Sequence, residues 1–303
     1  MSAVSRSRRL SWGYALVAVS YLIMGSIGAL VDYASAPESF LVLVRMVTAG
    51  VVLGVIFARR RPLAGLRAPG LPSRLLLMAV LDTAALMLFF LAIRHTDVAV
   101  AMFLLFVAPV WVAVIAPRLL HTRTEPVVYV ALVIALGGLA AILVPALTGK
   151  AVNVTRLGLV FGTAAGLGYA AFQIVMKDLT RRLNTISIVL TETILDTILI
   201  LPLALWQTVG AGYHLTGRDL IVGLILGTVC TALAYTMWTE GVARVRVQHS
   251  SILGYLEPVS APLYALVLLG ERPGGWTLAG GALIVAAGAL VIIFGEAEEM
   301  VPA

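Results

Sequence analysis

Apolar residues run through this chain in blocks of about twenty, the length an α-helix needs to cross a bilayer's hydrocarbon core of about 30 Å. Ten such blocks stand out, at 12–31, 38–58, 72–93, 98–117, 126–147, 157–177, 185–208, 218–239, 248–269 and 275–294. The connections between them are short and rich in Gly, Pro and Arg, which leaves no room for a soluble domain. Five charged residues lie well inside the blocks, away from their ends: Arg45, Asp82, Glu192, Asp196 and Glu257. A charge at mid-span costs about 2.5–3.5 kcal/mol on insertion scales, so such groups normally face a bundle interior or a watery cavity.

The blocks also predict a duplication. Pro109 in Phe106-Val107-Ala108-Pro109-Val110-Trp111 falls on Pro258 in Tyr255-Leu256-Glu257-Pro258-Val259, and the same offset lays Asp82 on Thr231. Gly13 matches Gly158, Arg45 falls near Glu192, and Gly138 near Gly288. Each unit holds an odd number of spans, so the second must insert upside down, as in secondary transporters whose solute site lies between inverted halves. The expected fold is an all-α polytopic membrane protein of ten transmembrane helices in two inverted five-helix repeats. Residues 12–148 and 149–295 are the repeats, and 1–11 and 296–303 are cytoplasmic tails.

Composition agrees with the pattern. Charged residues make up 12% of the chain, hydrophobic ones 61%, and the mean hydropathy is +1.03; soluble proteins carry about 25% charged residues. A single cysteine, Cys230, excludes an internal disulfide and a CxxC metal site. The net charge of +6 sets orientation rather than marking a nucleic-acid partner. Fifteen Lys and Arg fall on one side of the spans and five on the other, which puts the richer side and both termini in the cytoplasm. The chain is expected in the inner (plasma) membrane, with the lipid bilayer as partner; a monomer is compatible with all of this. Arg6, Arg8 and Arg9 precede the first block, and Ala34-Ser35-Ala36 resembles a cleavage site. The run is longer than the 7–15 residues of a signal-peptide core, so the first block is expected to remain as a span.

Glu257-Pro258 in segment nine, Leu269-Gly270-Glu271 at its end and the two five-span halves resemble the EamA family of the drug/metabolite transporter superfamily. The resemblance runs from about residue 12 to 295. Within the family the chain is most similar to the YddG-type amino-acid exporters, which implies export of amino acids, aromatic ones included, through an alternating-access cavity. The first half departs from the pattern: Ala108 stands where the second half has Glu257, and His121-Thr122 where it has Gly270-Glu271.

The residues themselves nominate a cavity. Ser250, Gly254, Glu257, Ala261 and Tyr264 form a small and polar stripe at helical spacing. Pro258 removes a backbone donor and frees the Gly254 carbonyl, leaving backbone that either meets a solute or is capped by Glu257. Segment eight carries Thr228, Thr231, Tyr235 and Trp238 in a second stripe; Tyr235 is deep enough for a cavity, whereas Trp238 suits an interfacial anchor. Asp82 lies near mid-span in segment three. Tyr169 and Gln173 continue a face of Gly158, Gly162 and Gly166, glycines that suit close helix packing. With Met102 and Phe106, the expected substrate or cavity set is Asp82, Met102, Phe106, Tyr169, Gln173, Tyr235 and Glu257. Arg45, Glu192 and Asp196 form a second, charged set. By rise per residue Arg45 is nearer in depth to Asp196 than to Glu192, so an Arg45–Asp196 pair is expected, unless all three snorkel separately to the interface.

His95, His121 and His214 sit in loops and His249 at a span's edge, suiting solvated or interfacial roles, and no His cluster has metal-ligand spacing. There is no GxxxxGK[ST] sequence, and no HExxH or GxSxG motif. No enzyme activity, metal or cofactor is expected. The expected function is secondary export of amino acids, aromatic and other neutral ones, and related metabolites. A carrier of sugar phosphates or nucleotide sugars is the alternative, disfavoured because such anions want several basic groups and the spans hold Arg45 and almost nothing else basic.

Overall fold

The computed structural model describes residues 3–60, 66, 68, 70–148, 154–208 and 212–296. Arg61, Arg67, Lys150, Glu298 and Glu299, the distal end of each predicted tail and the predicted 148/149 repeat boundary on its second side lie outside the described residues, and the side chains of residues 3–10 are likewise not described. Among the described residues ten helical spans are long and apolar enough to cross a membrane, and the only strand-like pairing is an isolated bridge between Thr96 and Val154. The protein is a multi-pass membrane protein.

Three spans are broken and one is irregular. Span one is α1 (Ala3–Met24) and α2 (Ser26–Tyr33); spans two and three are α3 (Glu38–Phe57) and α4 (Leu71–His95). Span four splits into α5 (Val98–Leu105) and α6 (Ala108–Leu120), and span five is α7 (Pro126–Leu147). Spans six and seven are α8 (Arg156–Thr180) and α9 (Thr185–Thr208). Span eight runs through α10 (Gly217–Ile225), a π-helical stretch (Leu226–Leu233) and α11 (Ala234–Val242). Span nine splits into α12 (Val247–Leu253) and α13 (Leu256–Leu269), and span ten is α14 (Gly275–Phe294).

Local chemistry sets these ends. Pro109 and Pro126 stand in first turns, where a missing N–H costs nothing. Thr216 and Asp219 close a capping box at the start of α10. Gly270 ends α13 in the left-handed region at φ 76°, and His121 ends α6 in the same region at φ 53°. A side chain there costs roughly 1–2 kcal/mol, so the first half holds that backbone turn without the residue best suited to it.

Span three packs along span six and span one along span eight, while two pairs with seven and five with ten. Exchanging the two sets of five spans turns the first pair into the second and leaves the other two pairs as they were. Spans five and ten run antiparallel: a Cβ on Gly138 would meet Gly280 O and Ile284, while one on Gly280 would meet Ile142. Between the halves, Tyr255 Oη donates to Phe106 O at 2.7 Å, joining the two breaks directly.

The bundle has two distinct faces. On one, the 34–37 turn binds Asp219 through the Ser35 and Ala36 N–H groups (2.9 and 3.1 Å), and Thr155 Oγ1 donates to His95 O at 2.6 Å. On the other, Arg74 pairs with Asp178, Lys177 Nζ donates to Val242 O and Val245 O (2.8 and 2.7 Å), and Glu296 N donates to Glu125 at 2.8 Å. That second face holds Arg59, Arg118, Arg123, Arg181, Arg182, Arg244 and Arg246.

Candidate functional site

A cavity of about 360 Å³ lies between the halves, within the range of about 300–1,000 Å³ usual for small-molecule sites. Its mouth is at the face of the 34–37 turn, where exposed Glu38 and half-buried Val31 line it. Its floor is aromatic. Trp238 stacks between Phe172 and Tyr235, with ring centres 5.9 and 5.2 Å away, and Tyr21 meets it edge-on at 6.3 Å. Tyr169 stacks on Phe172 at 5.9 Å.

One wall is charged. Carboxylate oxygens of Asp82, Glu192 and Asp196 lie within 4.8 Å of one another. Glu192 accepts from Tyr235 Oη at 2.6 Å, and Asp196 from Thr83 Oγ1 at 3.3 Å. The second oxygen of Glu192 has no partner. Glu257 lines the same space from α13. Three acids this close, in apolar surroundings, need positive charge among them, from Arg45, from protons or from a cationic ligand. Three carboxylates could also surround a metal ion, but a guanidinium close by weakens the site for any fixed cation and leaves it suited to a solute bearing both signs.

Arg45 is placed by the irregular stretch of span eight. Its Nε donates to Thr231 Oγ1 at 2.6 Å, and that hydroxyl donates in turn to Leu226 O, five residues back, at 3.0 Å. The wide turn of a π-helix is what brings a carbonyl that far back within reach of a side chain, and such turns often mark functional sites. Gly223 and Gly227 let this stretch close on α3: a Cβ on Gly227 would meet Arg45 O at 2.8 Å and one on Gly223 the Val44 side chain.

Of the residues expected at the cavity, Asp82, Met102, Phe106, Tyr169, Tyr235 and Glu257 line it, as do Arg45, Glu192 and Asp196. Gln173 does not. It is buried one turn beyond Tyr169, behind the floor, because the close contacts of α8 turn that face into protein. The expected Arg45–Asp196 pair does not take the form of a direct ion pair: Arg45 Nε bonds Thr231 and Asp196 bonds Thr83, while both side chains line the one cavity. Equal depth did not decide the partner; rotation of each helix about its axis did. Trp238, expected as an interfacial anchor, is floor, and 2% exposed. His249, expected at an interface, is fully buried. Tyr21, Phe172 and Glu38 line the cavity and were not singled out from the sequence; the lone tyrosine in the middle of the first apolar block was the one available signal. The glycine face of span six behaves as expected: Cβ atoms on Gly158, Gly162 and Gly166 would meet Thr96, the Leu104 side chain and Leu104 O.

The sequence profile of the EamA-like transporter family matches residues 11–144 and 156–294, once in each half. An uncharacterized transporter of Archaeoglobus fulgidus is 29% identical over 281 residues, which cover 92% of this chain and 96% of the relative. A probable terminal-alkyne amino-acid exporter of Streptantibioticus cattleyicolor is 28% identical over 195 residues, 63% of each chain. A crystal structure 18% identical in sequence superposes with a TM-score of 0.80 over 94% of this chain and 99% of the other, a shared fold.

Proposed function

The chain belongs to the EamA-like transporter family, and from that premise we propose that it exports amino acids, aromatic and other neutral ones, by alternating access between two inverted repeats. The observation that carries this is the charge arrangement in the cavity. The carboxylates of Asp82, Glu192 and Asp196 stand beside one guanidinium, Arg45, above a floor of stacked aromatic rings. An α-ammonium suits the acids, an α-carboxylate suits Arg45, and an aromatic side chain stacks on Trp238. The exporter name of the Streptantibioticus relative supports the same class of solute. The excess of lysine and arginine on one face supports its lying in the cytoplasm, with the cavity then open to the outside of the inner membrane. Gradients rather than a bound nucleotide would drive transport. Five acids, Glu38 at the mouth among them, against one base also favour a second reading, in which the solute is an amine without a carboxylate.

The two separate in proteoliposomes loaded with labelled phenylalanine or its decarboxylated amine. Wild-type protein is expected to move the amino acid faster, and Arg45→Met to lose at least about tenfold in amino-acid rate, a 1.4 kcal/mol effect, while sparing the amine. Equal loss of both solutes, in a variant that still elutes as folded protein, removes Arg45 from carboxylate recognition.

A further inference from the structure

The cavity floor is followed, toward the arginine-rich face, by polar groups that are buried and tied across the halves. Tyr14 Oη of α1 lies 2.6 Å from His249 Nδ1 of α12. The ring's Nε2 lies 3.4 Å from Glu125 Oε1, and Arg246 reaches the same oxygen at 3.0 Å. Glu125 Oε2 accepts the backbone N–H of Glu296 at 2.8 Å, and the Glu296 carboxylate lies 3.4 Å from Arg246. Tyr14 and Glu125 come from the first five spans; His249, Arg246 and Glu296 come from the last two. With the tyrosine donating to Nδ1, the ring's other nitrogen faces the Glu125 carboxylate, so the imidazole stands between a hydroxyl of the first span and an acid at the head of the fifth. Burial pushes the Glu125 carboxyl up, but the His249 contact, the Glu296 N–H and Arg246 more than offset it and hold it below its ordinary 4.5. Glu125 is therefore an acceptor at any neutral pH.

Around this cluster, polar side chains are buried with nothing to bond. Gln248 Nε2 and Ser251 Oγ flank His249 on α12, and Gln173 Oε1 lies one turn beyond the floor residue Tyr169. Each such atom is stripped of water without a compensating hydrogen bond, a cost with no return in this arrangement of the helices. The duplication supplies the return. At the offset that joins the two breaks, Ser251 corresponds to Met102, Gly254 to Leu105 and Tyr255 to Phe106, and the three first-half residues line the open cavity.

We propose that Gln173 and Ser251 line the other half of the solute's path, and that Tyr14, His249 and Glu125, braced by Arg246, form the bolt that keeps it shut. This rests on the alternating-access reading of the cavity, not on the identity of the solute. When the halves exchange roles, α12 takes the place α5 holds here, the Gln173 and Ser251 side chains meet water and solute, and the bolt comes apart.

The test uses the full chain in proteoliposomes with Cys230→Ala, which removes its one native thiol, and a membrane-impermeant thiol reagent, without solute. Met102→Cys is expected to label from the cavity-mouth face and Ser251→Cys from neither. Adding Glu125→Gln is expected to speed labelling of Ser251→Cys from the arginine-rich face at least tenfold and to slow that of Met102→Cys. Tyr14→Phe, which removes one hydroxyl and no volume, is the second variant should Glu125→Gln not fold, and it is expected to act in the same direction. Ser251→Cys that stays unlabelled in folded bolt variants, while Met102→Cys labels as in the parent, overturns the proposal. Labelling that follows the expected pattern in a chain that fails to move amino acids leaves the bolt standing and removes only the solute reading.

Discussion

Span four breaks between Leu105 and Ala108, and span nine between Leu253 and Leu256. The two breaks share a backbone plan. Each is followed by a helix opening on a proline, each of those helices ends in a left-handed residue at equivalent positions, and the aromatic residues at the breaks, Phe106 and Tyr255, face one another at 6.2 Å. Each break also admits a glycine from the other half. Gly166 lies against the carbonyls of Leu104 and Leu105, and Gly25 against Glu257 O and the Ser260 side chain. The side chains differ where the cavity begins. Ala108 is buried in packing while Glu257 lines the cavity, and the acid Asp82 has as its counterpart Thr231, whose hydroxyl orients Arg45. Duplication preserved the backbone device that lets helices cross and break, and the chemistry diverged, so that each charged role is filled once.

Neutralising a role that only one half supplies should have the largest effect. Asp82→Asn is expected to lower transport at least about tenfold with folding intact, since Thr231 cannot replace it; a wild-type rate would make the acid dispensable and the chemical asymmetry idle. The shared backbone plan predicts a smaller and symmetric effect. Gly25→Val and Gly166→Val should each cost roughly 1–3 kcal/mol through overpacking, seen as lower melting temperatures in detergent. Gly28→Ala, where a Cβ meets nothing within 4 Å, is the control. Effects differing widely between the two breaks would mean that the halves no longer share one packing solution. The smallest effect concerns the helix ends. Gly270→Ala should destabilise by about 1 kcal/mol and His121→Gly should stabilise by up to about that much, because only glycine takes the left-handed turn without strain. Opposite signs in the same melting assay would confirm that the first half tolerates a strained copy of the second half's turn; like signs would refute it.

The spans were legible because each is a local property. The predicted segment at 72–93 is observed as Leu71–His95, and that at 157–177 as Arg156–Thr180. Pro109 and Pro258 marked two of the breaks. The third, at Gly25, carries no proline and exists because another helix approaches there, which no window of sequence contains. The π-helical stretch before Ala234 was equally silent, and with it the placement of Arg45. His249 looked peripheral because it sits near a span's end, yet Tyr14 and Glu125, far away in the chain, enclose it.

By itself, then, the sequence determined how many spans there are, how they are duplicated and which few charged residues enter the apolar interior, because transfer into hydrocarbon depends on the length and composition of a local run. Only the tertiary structure decided which charges meet, which aromatic rings floor the cavity and on which face the cavity opens. Those outcomes depend on the rotation of each helix about its axis and on its crossing with helices far away in the chain, and both are set by packing between halves.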